Sequence, residues 1–541
     1  MEFESSLVSS VSLRGDYFRN CCKPKLNHTK WLISKGTILV LTWNFLVISV
    51  YHYFVISKAR DPIKKKIQLS PGEILAIGLL LPVGGWLADA YFGRYKVILY
   101  SMWTIWFGAM LNGLSLVIGK VNTPYEKYGD PWVSVFCKVI MGAGMGAFQA
   151  NIIQFGIDQL SEASSTEIKS FIVWYTMTIS SSGVTMQFSG YCSQEYVVVL
   201  VVALYLTLAL CSNFVLNHWL VKDQVIDNPL PLIWKTVQYT IVNRQQWRRI
   251  FTLDQHGVLS RLNVAKTIYA GPFTSEQVEN VKTFFRVMAA IAVVMTTCSG
   301  IPITSSVLGT LEIHLQNWPN NTNLRGCYKG ESISYSHYIF LVVVVPLYQV
   351  IVYPLFHNCI PKVSITTKFL FSTLLFFAGV MSLVGIESAS YHYQVGMNQT
   401  TIKCVFQNEN IHANVKLYWT IIPRILIGLS AFILILSGIE FICAQAPFNM
   451  KGLMFGMVYG LYGLSSLVHS ALAIPFLSKK PLWEKAPLTC GVWFFVIQGV
   501  IVLSGLVVVV VMIKRYKRRN RINITSQSDW LQDDVQINTV N

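Results

Sequence analysis

Asp89, Asp158 and Glu440 are acidic side chains in or at the edge of long apolar runs, and their cost in that setting marks them as candidates for chemistry. Asp89 ends the run LLLPVGGWLADAYF and is followed by Arg94; Asp158 ends GMGAFQANIIQFGIDQL; Glu440 sits within SGIEFICAQ. A carboxylate at a bilayer centre costs about 2.5 to 3.5 kcal/mol. Asp89 therefore needs a partner, such as Arg94 or the positive N-terminus of a neighbouring helix. Asp89, Arg94 and Asp158 read as a gate and turn group, with ordinary packing of solvated carboxylates as the alternative. Glu440 reads as a substrate or proton site, or else as a helix-end residue paired with Arg286 or Arg424. Asn151 donates and accepts at once, which suits an amide substrate as well as a tie between two helices. Trp174 and Tyr175 each offer an apolar body with a polar tip, for a pocket wall or for a core or lipid-facing position.

The elements that must position these groups are membrane helices. Of the 541 residues, 53% are hydrophobic and 13% charged, with a mean hydropathy of +0.47, whereas a soluble chain is about one quarter charged. Runs near the roughly 20 residues that cross a bilayer fall at 31–56, 70–91, 95–119, 132–156, 168–190, 196–221, 283–308, 335–358, 363–387, 416–444, 450–477 and 487–513. The expected architecture is an all-α membrane protein of twelve transmembrane helices in two six-helix halves. It divides into a segment 1–30, a bundle 31–221, a linker 222–282 with amphipathic helices, a bundle 283–513 and a basic tail 514–541. The first thirty residues lack an apolar core, so span one is expected to do the targeting.

Basic residues set the orientation. The linker and the tail are rich in Lys and Arg, which places both, and the N-terminus, in the cytoplasm. The loop 57–69 dissents with Lys58, Arg60, Lys64, Lys65 and Lys66, but the glycosylation acceptors outweigh it. Asn320 in NNT and Asn398 in NQT fall in loops expected outside, while Asn27 and Asn523 fall inside. Cys327 and Cys404 share those outer loops, where a disulfide is expected to form. The net charge of +17 flanks the spans and so meets anionic lipid rather than nucleic acid. The eleven cysteines form no CxxC pair, so no metal and no cofactor is expected. No nucleophile and base stand at usable spacing and no phosphate loop is present, which excludes an enzyme.

The stretch GGWLADAYFGRYKVILY at 84–100 resembles the signature of the proton-coupled oligopeptide transporters, a branch of the major facilitator superfamily. GMGAFQANIIQFGIDQL at 144–160, Trp174, Tyr175 and Gly183 in span five, PLYQVIVYP at 346–354 and GIEFICAQAPFNMKGLMFG at 438–456 are similar to further family segments. The resemblance implies the major facilitator fold, a substrate site between the halves, and a role for Glu440 near a peptide's amino end; as the remaining acid within the spans, Glu440 is also the expected proton-coupling group. It also shows losses. The family's Glu-x-x-Glu-Arg motif of span one is matched by Thr42, Phe45 and Leu46, and the span-four lysine that holds the peptide carboxylate by Gln149.

Two readings follow. The first is a secondary carrier of small peptides or peptide-like polar solutes, with or without protons as the coupling ion, in the plasma membrane or an endolysosomal membrane. The second is a transport-inactive scaffold or receptor that keeps the fold. The gate residues favour the carrier, and the missing charges favour the scaffold.

Overall fold

The computed structural model describes residues 34–57, 80–122, 131–160, 163–192, 195–222, 228–245, 260–316, 336–353, 363–396, 413–477 and 490–515. Each of the twelve expected spans has a helix there. The first six are α1 (Lys35–Ser57), α2 (80–87, running into a π turn at Ala88–Phe92), α3 (Arg94–Asn122), α4 (Pro131–Asp158), α5 (Ser165–Cys192) and α6 (Glu195–Leu216). A linker helix α7 (Pro229–Val242) precedes α8 (Ser275–Cys298) and α9 (Ile301–His314), which together make span seven. Spans eight to twelve are α10 (Ser336–Leu347, with a π turn at Tyr348–Val352), α11 (Ile365–Gly396), α12 (Ile421–Gln445), α13 (Lys451–Leu477) and α14 (Cys490–Arg515). Among the described residues six helices are long and apolar enough to cross a membrane, and Lys35–Val50 and Ser336–Val352 are shorter apolar ones. A short parallel ladder joins Leu315–Gln316 to Ala413–Lys416.

The apolar surface is divided between core and lipid. Trp43, Phe148, Phe155, Phe171, Tyr175, Phe376, Phe455 and Phe495 are fully buried, whereas Phe214, Val215, Val500 and Val507 are exposed. Those outward faces are stable only in hydrocarbon, so the chain is a multi-pass membrane protein. Where helices cross, small residues permit backbone contact. A side chain at Gly84 would collide with Ala147 of α4, and one at Gly85 with the carbonyl of Gly452 on α13.

Span seven differs from the expected continuous helix, since it is interrupted at Ser299 and Gly300. Pro302, two residues past the break, lacks an N–H and clashes with a preceding helical carbonyl, which accounts for the interruption. In the linker the described helix is α7. Asn228 caps α7 by accepting from Leu230 N at 3.2 Å and also accepts from Trp86 Nε1 of α2 at 3.1 Å. Thr274 and Gln277 form a reciprocal capping box at the start of α8. Behind it, Glu279 pairs with Lys266 at 2.7 Å and Lys282 at 2.6 Å, and Lys282 also donates to Asn263. This end of the bundle is the linker side; the opposite end is the far side.

Candidate transport site and gate

The turn between α2 and α3 carries the first site. The π turn ends at Gly93, whose φ of 77° is open to glycine, and this sharp exit aims Arg94 back toward the bundle. Arg94 Nη1 donates to Asp158 Oδ2 at 2.6 Å, and its Nη2 lies 3.6 Å from Asp89 Oδ1. Gln154, one turn before Asp158, donates to the other carboxylate oxygen at 2.7 Å. The structure thus brings Asp89, Arg94 and Asp158 into one buried group. Asp89 also accepts from Leu453 N at 2.9 Å, at the first turn of α13. That contact crosses between the first six spans and the last six, and the helix N-terminus favours the negative charge. Gly452 is required beside it, because a Cβ there would lie 2.7 Å from Asp89 Oδ1.

The second site is a chain of neutral polar groups deeper in the bundle. Tyr175 of α5 donates its hydroxyl to Gln149 Oε1 of α4 at 3.1 Å, and Gln149 Nε2 reaches Asn44 Oδ1 of α1 at 3.4 Å. Asn44 in turn donates to Thr178 Oγ1 at 2.6 Å. Tyr459 of α13 lies near the Tyr175 side chain from across the two sets of spans, its buried hydroxyl without a hydrogen-bond partner among the described residues. Trp174 packs beside this group, between the main core and a smaller cluster of Met177, Leu341, Val345 and Phe432. Asn151 is placed apart. Its amide donates to Ala147 O at 2.8 Å and Gly84 O at 3.2 Å, which ties α4 to α2. On the far side, His52 of α1 stacks edge-on against Tyr338 of α10 at 5.6 Å and meets Ile179 O at 3.3 Å.

Glu440 is 2% exposed, and its partner is neither Arg286 nor Arg424. Lys368 Nζ of α11 contacts both of its carboxylate oxygens, at 2.8 and 2.6 Å. Arg286 is exposed, and Arg424 is buried near Gly309 of α9, its Nη2 3.9 Å from a Cβ placed there. Lys368 escaped sequence reasoning because one lysine near the start of a span reads as an interface anchor. Glu387 escaped too, since span nine was expected to end there; α11 runs nine residues further, and Glu387 is fully buried against Gly491 of α14. Asn44 and Tyr459 gave no signal beyond being polar residues within spans. Asn320, Asn398, Cys327 and Cys404 lie outside the described residues. A groove of about 520 Å³ lined by Ser382, Gly385, Lys416, Trp419 and Pro423 lies between α11 and α12, away from these groups.

Comparison with known proteins agrees with this architecture. The rat solute carrier family 15 member 3 is 22% identical over 477 residues, covering 78% of this chain and 80% of that protein. Its mouse counterpart is 22% identical over 487 residues, covering 80% and 82%. Among solved structures, the POT family transporter PepTSo superposes with a TM-score of 0.61 at 12% identity, over 89% of this chain and 98% of its own. An auto-inhibited POT family peptide transporter gives 0.62 at 12% identity, over 91% and 99%. These likenesses establish the shared fold. The model of the POT family matches residues 95–482, well over half of the chain, and the chain belongs to that family of membrane transporters.

Proposed function

We propose that the chain is a secondary carrier of short peptides or peptide-like polar solutes that works by alternating access, with both termini and the linker side in the cytoplasm. The observation that carries this reading is the hydrogen bond from Leu453 N to Asp89. It joins the two sets of spans through a buried carboxylate already paired with Arg94, and so gives a closed linker side that can be opened by breaking a few defined contacts. The solute would lie against Asn44, Gln149, Tyr175 and Tyr459. These groups offer amide and hydroxyl partners without a charge, which suits a neutral peptide backbone better than a free carboxylate. Glu440 is assigned to proton coupling: protonation would release Lys368, and the pair would reform on deprotonation. Contacts with anionic lipid fall to the basic residues that flank the spans.

The test is uptake by the purified chain in liposomes under an imposed pH gradient, with labelled di- and tripeptides set against amino acids and anions. Saturable peptide uptake, competed by unlabelled peptide, is the expected result. Silence across the panel from correctly inserted protein would favour a scaffold or receptor. Glu440→Gln should abolish acid stimulation while leaving exchange of preloaded solute in place; loss of both would make Glu440 a solute ligand.

A further inference from the structure

The break in span seven sets two buried polar side chains against one glycine. A side chain at Gly300 would collide with the Gln498 carboxamide of α14, and its Cβ would lie 3.2 Å from Cδ2 of His469 on α13. Thr304 follows one turn on, its N–H bonded to Gly300 O at 2.9 Å. His469, Gln498 and Thr304 are 6, 3 and 0% exposed. Among the described residues, His469 Nε2, Gln498 Nε2 and Thr304 Oγ1 have no hydrogen-bond partner. One such atom costs about 1 to 3 kcal/mol, so three of them at a helix break and one turn beyond it call for a cause.

The other ring nitrogen is committed. His469 Nδ1 lies 3.0 Å from Ser465 O and 3.0 Å from Ser299 Oγ. Ser299 Oγ donates its own proton to Thr296 O at 2.8 Å. Both neighbours of Nδ1 are therefore acceptors, so Nδ1 carries the ring hydrogen and Nε2 keeps its lone pair.

We propose that the break in span seven is a proton-binding site whose acceptor is Nε2 of His469. A proton is the ligand that a single unpartnered ring nitrogen in a closed, buried setting can take up without other ligating groups. The Gln498 carboxamide can offer its N–H to neutral imidazole or its oxygen to imidazolium, and so serves both states. Among the described contacts, the groups facing the ring are Ser465 on its own helix, Ser299 across the break, and Gln498, none of them charged. Among the described residues, ionisable groups on the helices packed around it include Cys298 of α8, Tyr462 of α13 and Arg424 of α12. Glu387 of α11 lies behind α14 at Gly491, two turns from Gln498. Since Ser299 ties the break to α13, a charge on His469 biases the angle between α8 and α9. The site is distinct from Glu440, and only its effect on transport rests on the carrier reading.

The test is nuclear magnetic resonance of the full chain, labelled with ¹⁵N-histidine in lipid nanodiscs, titrated from about pH 8 to about pH 5 around the ordinary range of imidazole. The signal missing from His469→Gln belongs to His469. It should show the Nδ1–H neutral ring at high pH and imidazolium at low pH. Gln498→Leu should move the midpoint by about one pH unit without removing the signal, which a packing role alone would not do. If His469→Gln fails to fold, the signal perturbed by both Gln498→Leu and Ser299→Ala supplies the assignment. A ring that stays neutral to about pH 5, or one carrying its hydrogen on Nε2, overturns the proposal. Titration in a chain that moves no solute would uphold the site and count against the carrier.

Discussion

At the scale of the residue, the decisive question is which buried charge is held by which partner. Lys368 holds Glu440, and the carboxylate is the more deeply buried member, with side chains 24% and 3% exposed. Removing the cation strands a buried acid, which costs about 3 to 5 kcal/mol when a buried pair is broken. Lys368→Met should fall at the lower end because the lysine keeps some solvent, and Lys368→Met with Glu440→Leu should recover most of the loss; thermal unfolding of the purified proteins measures both. A double variant no more stable than the single one would show that the pair is not coupled. Asp89 behaves differently, because Arg94 retains Asp158 when Asp89 loses its charge. Asp89→Asn should therefore cost little stability but weaken closure of the linker side by about 1 to 3 kcal/mol, seen as faster labelling of cysteines placed on that side. Equal labelling rates would reduce Asp89 to a packing residue. Asp89, Arg94 and Asp158 were legible in the sequence because charge in an apolar run is conspicuous and must be paired. Lys368 was not, since its partner lies 72 residues away and no local pattern announces a pair between helices.

At the scale of the element, hydropathy located each span because a bilayer imposes one length on every crossing helix. It was blind to the interruption at Ser299 and Gly300, where Gly and Pro act on the backbone without lowering the apolar content. It also stopped span nine at Glu387, an acid that the fold buries between α11 and α14. The glycines of α2 matter for a related reason. Gly85 meets the carbonyl of Gly452, and a side chain at Gly456 would collide with the carbonyl of Leu81, so α2 and α13 touch backbone to backbone beside the Asp89–Leu453 contact. Gly85→Ala cannot be absorbed by turning a side chain. It should push these helices apart at an overpacking cost of about 1 to 3 kcal/mol, and raise linker-side cysteine labelling as Asp89→Asn does. Gly385, with nothing within 4 Å of an added Cβ, is the control: Gly385→Ala should leave labelling unchanged. A Gly85→Ala protein with the labelling rate of the control would show that the backbone contact has no part in closure.

At the scale of the whole molecule, two sets of six spans meet at both ends of the bundle. Asp89 and Leu453 join them on the linker side, and His52, Gly183 and Tyr338 join them on the far side, where the Tyr338 ring lies 3.1 Å from a Cβ placed at Gly183. A carrier that alternates must open these seams in turn, never together. The far-side seam is aromatic and lacks an ion pair across α5 and α10 among the described contacts, so bulk rather than charge should control it. Gly183→Leu would drive a branched side chain into the Tyr338 ring and hold the far side apart. The variant should then favour the state with the linker side closed, protecting linker-side cysteines while exposing far-side ones. Asp89→Asn should shift labelling in the opposite sense, and the double variant should fall between the two if both act on one equilibrium. Labelling that rises on both sides in Gly183→Leu would mean that the halves do not rock as units, and alternating access by this seam would have to be abandoned.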